Sequence, residues 1–151
     1  MYEIYPESSY ELDTAENIRT YLLGGKGIVT LESPTGKHHT YAFNAPREPD
    51  MFPDGTLFVY SQVENGVWLY CGMVNDDLRF KLTRASTWDN SCEIVRGARY
   101  IVDWMNGLIK STPMKLYHCG VCSVCGRKLT HPKSILFGIG PKCRKKIHEV
   151  S

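Results

Sequence analysis

The residues predict an α+β fold. An antiparallel sheet with two helices is expected over residues 1–113, followed by a small cysteine-rich module over residues 114–151. Three observations carry this reading. Two stretches repeat apolar residues at helical spacing, several short runs between them flank turn signals, and four of the six cysteines crowd between positions 119 and 143.

Asp13-Thr-Ala-Glu16 reads as a capping box with Asp13 as the cap and Glu16 three residues on. Ala15, Ile18 and Leu22 then share one helical face, and Gly24-Gly25 closes the helix. Strands are expected at Ile28–Ser33 and His38–Phe43, around Pro34-Thr-Gly-Lys37. A second hairpin joins Leu57–Val63 to Val67–Met73 through Asn65-Gly66, a strong short-range hairpin signal. If that turn sets the register, Phe58, Tyr60, Leu69, Cys71 and Met73 lie on one face, and Leu57, Val59, Val63, Trp68 and Tyr70 on the other. Both faces are apolar, so both need cover, and helices on opposite faces would supply it. Leu78–Thr83 alternates as a fifth strand. Asn90-Ser-Cys-Glu93 opens a longer helix with an apolar stripe of Ile94, Ala98, Ile101, Val102, Met105, Leu108 and Ile109, broken by Ser111-Thr-Pro113.

A chain of 151 residues with 42% hydrophobic and 23% charged residues has the size and composition of one ordinary globular domain. Its net charge of +2 conceals a division. Residues 115–151 carry +7, while residues 1–114 carry −5. A basic end of this kind suits a polyanionic partner. The polar, acidic start lacks the basic and apolar regions of a signal peptide, and no apolar run approaches the ~20 residues that span a membrane. A cytoplasmic protein is expected, in which clustered cysteines bind metal rather than each other.

Cys122-x-x-Cys125-Gly126 has the form of a metal knuckle, two thiolates on a tight turn with a glycine just past the second. Gly140-Pro141 resembles a helix start, which would place Cys143 in a first turn whose amides and dipole favour a thiolate. A knuckle followed by a ligand-bearing helix is the layout of a treble clef, and a sulfur-rich tetrahedral site favours zinc. The fourth ligand is open among His118, Cys119, His131 and His148, with His118, on a preceding strand, placed best to approach from the opposite side and Cys119 next.

The full pattern runs His118-x-x-x-Cys122-x-x-Cys125-Gly-Arg-x-Leu-Thr-x-Pro-x-Ser-Ile-x-x-Gly-Ile-Gly-Pro-x-Cys143. It resembles a small zinc domain of uncharacterised function found in bacteriophage and mobile-element proteins. The resemblance is dense over residues 118–143 and extends to positions that metal spacing does not demand, Arg127, Leu129, Thr130, Pro132, Ser134 and Gly138. Its members usually have histidine at the position of His118 and no cysteine at that of Cys119, which implies the ligand set His118, Cys122, Cys125 and Cys143. The N-terminal part is similar, more loosely, to the antiparallel region preceding such domains. The family supplies no catalytic residues.

Other signals are weaker. Gly24-Gly-Lys-Gly27 leaves a helix for a strand, the reverse of a phosphate loop. Asp76-Asp77 fits a turn, adjacent His38 and His39 point to opposite strand faces, and no His-x-Glu of a zinc deaminase precedes Cys122. Cys71 fits a strand core and Cys92 a helix start. No acid, base and nucleophile converge, so an enzyme is not expected. The sequence therefore points to nucleic-acid binding, single-stranded or without base specificity, through Arg127, Lys128, Lys133, Lys142, Arg144, Lys145 and Lys146. The alternative is docking on a host protein through the acidic domain.

Overall fold

The computed structural model describes residues 10–126 and 138–139. Helix α1, Ala15–Leu22, begins at Thr14, whose extended backbone lets its hydroxyl accept from the Asn17 N–H at 3.1 Å. Thr14 therefore takes the capping role expected of Asp13. Ile18, Tyr21 and Leu22 form its buried side.

Strands β1 (Lys26–Glu32), β2 (His38–Asn44), β3 (Leu57–Glu64), β4 (Val67–Val74), β5 (Phe80–Lys81) and β6 (Lys115–His118) form one antiparallel sheet in the order β5-β4-β3-β2-β1-β6. The fifth strand is shorter than its alternation predicts. Leu78 adopts φ 62° in a turn where Asn75 accepts from the N–H groups of Leu78 and Arg79, leaving only Phe80 and Lys81 to pair. The sixth strand is expected as a strand carrying His118 ahead of the knuckle, but not as part of this sheet. It pairs with β1, Val29 opposite His118 and Leu31 opposite Leu116, so the boundary expected at 113/114 falls just before a strand of the sheet itself. The outer edge of β6 is partly covered by the chain before α1, through the Leu12 N–H to Leu116 carbonyl bond at 2.7 Å.

Helix α2, Glu93–Met105, is expected to reach Ile109 but ends at Asn106-Gly107, where Gly107 takes φ 76°. Leu108 is consequently exposed. Ala98, Ile101, Val102 and Met105 are buried as their spacing predicts, joined by Val95 and Trp104. Both helices pack into one core with Val29, Leu31, Tyr41, Phe43, Leu57, Val59 and Val74. The expectation of helices on opposite faces is thus corrected, and the second sheet face is left open.

The side-chain assignment of the second hairpin is corrected as well. The register shifts between Val59 and Tyr60 and between Gln62 and Glu64, so Tyr60 opposes Tyr70 and Gln62 opposes Trp68. Each extra residue of a bulge reverses the alternation beyond it. Trp68 and Tyr70 therefore join Phe58 and Tyr60 on the open face, away from Leu57 and Val59. Among the described residues, no helix is long and apolar enough to cross a membrane.

Candidate metal centre

Strand β6 ends in His118, which is only 4% exposed because it faces the core side of β1. Its ring lies between two tyrosines, with centroids 5.4 Å from both Tyr10 and Tyr21. The Gly120 N–H donates to His118 Nδ1 at 3.0 Å. An accepting Nδ1 puts the proton of the neutral ring on Nε2.

Just past β6 the chain makes the turn that the cysteine spacing predicts. Cys122 is fully buried, and its sulfur accepts from the Val124 N–H at 3.4 Å. The Gly126 N–H donates to the Cys122 carbonyl at 2.9 Å, and Gly126 takes φ 77°. A side chain at that φ would be strained, so a glycine directly after Cys125 is what permits the turn. An amide aimed at a cysteine sulfur stabilises its thiolate form, the form that binds metal. Cys125 is exposed at the other end of the turn, and Cys119 is exposed before it.

The turn is anchored to the sheet. The Lys26 N–H donates to the Ser123 carbonyl at 2.7 Å, and the Ser123 N–H donates to the Gly138 carbonyl at 3.0 Å. Gly138 and Ile139 are buried at this point, so the chain returns to the knuckle at Gly138.

Tyr21 links these parts. Its hydroxyl donates to the Ile28 carbonyl at 3.1 Å and accepts from the Ile28 N–H at 3.2 Å, fixing the ring beside His118. Burial raises its phenol above the usual range, and the Cys119 and Cys122 sulfurs add to the rise. The structure therefore gathers His118, Cys119 and Cys122 around Tyr21, a residue with no functional signal of its own in the sequence. The one hint is its place on the apolar side of α1.

Cys143, Arg127, Lys128, Lys133, Lys142, Arg144, Lys145 and Lys146 lie outside the described residues, as do His131 and His148. Among the described residues, no group of three or more His, Cys, Asp or Glu side chains is arranged to hold a metal ion. Cys71 serves the core: burial pushes its thiol up to about 12, which leaves it unreactive at neutral pH. His39 faces Glu93 at 3.7 Å, and Asp76-Asp77 occupies its turn.

Residues 117–148 match DUF6011, a family of unknown function. The match begins at Tyr117 in β6 and so spans the His118, Cys122 and Cys125 positions. No curated protein and no solved structure matches the chain.

Proposed function

We propose that the chain is a zinc-stabilised, phage-type nucleic-acid-binding protein that takes single strands or reads no base sequence. The division of charge carries this reading: +7 over residues 115–151 against −5 over the rest. Such a segment tracks phosphates, which position a nucleic acid without reading its bases. The knuckle supports the zinc. Cys122 and Cys125 would supply two thiolates from one turn, and Cys143 with His118 would complete a closed tetrahedral site. Zinc bound there supplies folding energy to a segment too short to bury a core of its own.

Histidine ligation has a structural condition. His118 must give up the Gly120 amide either way, by offering Nδ1 itself or by taking the ring proton onto Nδ1 so that Nε2 offers its lone pair. Cys119 faces no such condition, so the two residues are separated by substitution. His118→Ala should cost far more zinc retention than Cys119→Ala, measured by competition with a chromophoric chelator. If Cys119→Ala releases the metal and His118→Ala keeps it, the site is all-cysteine.

The binding function is tested by neutralising Lys142, Arg144, Lys145 and Lys146 together with glutamine. Affinity for unrelated single strands should fall by a similar factor for each, with the zinc content unchanged. Docking on a host protein through the acidic domain predicts the opposite. Capture of that protein would survive these four changes and would be lost on neutralising the acidic surface.

A further inference from the structure

The open face of the sheet is the largest feature left without a role. Phe58 and Tyr60 on β3 and Trp68 and Tyr70 on β4 all project from it. Phe52, from the loop after β2, meets Phe58 edge-to-face at 5.2 Å, and Tyr60 meets Tyr70 in the same way at 5.6 Å. Phe52, Phe58, Tyr60 and Trp68 border a cleft of about 750 Å³ that also takes in Ile28, Ala42 and Arg47. At the far side of the sheet, Tyr117 stands on the same face, opposite Thr30. From Trp68 on β4 to Tyr117 on β6 is four strand spacings, or about 19 Å.

The floor between and beside these rings is mixed, with Ile28, Ala42 and Ala45 next to polar groups. Thr30 and Thr40 join their hydroxyls at 2.8 Å, Gln62 pairs across from Thr40, and Asn44 pairs across from Phe58. A purely apolar occupant would bury these groups without new hydrogen bonds, an unfavourable exchange. An occupant with flat faces and polar edges would stack on the rings and bond to the floor. Charges of both signs stand around the face. Lys26, Lys81 and Lys115 share it by register and Arg47 lines the cleft, beside Glu11, Glu32 and Glu48. The face also adjoins the knuckle. A Cβ on Gly126 would stand 4.0 Å from the Lys26 side chain, so the chain enters its basic C-terminal segment beside this rim.

We infer that this open face is a stacking platform for the bases of a single-stranded nucleic acid, whose backbone leads past Lys26 toward the basic segment. The inference rests on the nucleic-acid reading above and adds to it. Phosphate contacts alone hold any polyanion, whereas the platform demands unpaired bases. Base–aromatic stacking tolerates any sequence, because every base has a π-face.

The test compares an oligothymidylate of about twelve nucleotides with an abasic phosphodiester of equal length, each binding the intact zinc-loaded chain. Wild type should prefer the oligothymidylate by at least roughly tenfold. Tyr60→Ala and Trp68→Ala should each remove roughly tenfold of its affinity and leave the abasic strand unaffected. Equal binding of the two strands by the wild type, which needs no variant and so no check of folding, overturns the platform and leaves the phosphate reading standing. Folded alanine variants that hold the oligothymidylate as tightly as wild type overturn it too. Failure of the wild type to bind either strand at low salt overturns both the platform and the nucleic-acid reading.

Discussion

Cys122→Ser should purify without zinc while the sheet and both helices stay folded. Cys122 is fully buried and receives the Val124 amide, so its sulfur is the fixed point of the knuckle. Serine offers a hard, largely protonated oxygen in place of a soft thiolate, a poor exchange for zinc. Structural zinc contributes about 10–16 kcal/mol to small zinc-finger peptides near neutral pH, comparable to the whole stability of many domains. The core around Ile18, Tyr41, Val59 and Ile101 contains no ligand from the expected set, so losing the metal should spare it. Elemental analysis should give one zinc per wild-type chain and none for Cys122→Ser, with far-UV circular dichroism keeping most of its signal. A wild-type chain that carries no zinc, and whose spectrum and melting are unchanged by chelator, contradicts the metal site.

Gly138→Ala should destabilise the chain by about 2–5 kcal/mol, the largest effect expected of any small-residue change outside the ligands. Gly138 takes φ 70°, which costs an L side chain about 1–2 kcal/mol. Crowding adds to this. A Cβ there would fall 2.5 Å from Tyr21 Cε1, closer still to Cδ1, and 3.4 Å from His118 Cδ2. Tyr21 cannot retreat without breaking both of its bonds to Ile28. Overpacking of this kind typically costs about 1–3 kcal/mol. Gly36 is the control, since it takes φ 87° but a methyl group there would have no atom within 4 Å. Gly36→Ala should therefore cost only about 1–2 kcal/mol. Urea denaturation of the two variants separates strain from crowding. Equal losses would mean that Gly138 does not pack against Tyr21.

The sheet core and the knuckle are legible in the sequence because local patterns specify them. Asn65-Gly66 turns the chain where it should, and Ala98, Ile101, Val102 and Met105 are buried at helical spacing. The knuckle can be read because two cysteines and a glycine at fixed spacing leave the backbone few alternatives. The features that escape the sequence depend on events with no local signature. The bulges between β3 and β4 move Trp68 and Tyr70 to the other face, and nothing in either strand announces an extra residue. Thr14 and Asp13 can both cap a helix, and backbone geometry chooses between them. Strand β6 is four residues long, too short to show a period, and joins the sheet because β1 offers it an edge. Tyr21 acquires its place beside His118 only when α1 packs against the end of β6.

Those corrections alter the functional picture more than the fold class. With both helices on one side, the aromatic face is half-buried rather than covered. With β6 in the sheet, the knuckle grows from its edge instead of following on a separate tether. A basic segment and an aromatic surface thus begin from the same rim at Lys26.

The most direct test of the nucleic-acid account is the salt dependence of binding to a short single strand, for wild type and for the variant lacking the charges of Lys142, Arg144, Lys145 and Lys146. Each neutralised phosphate releases a condensed counterion, so about four contacts should give a log–log slope of roughly −3. The variant should bind more weakly with a visibly shallower slope. A wild-type slope near zero, the same slope in both proteins, or no binding at low salt would contradict the account.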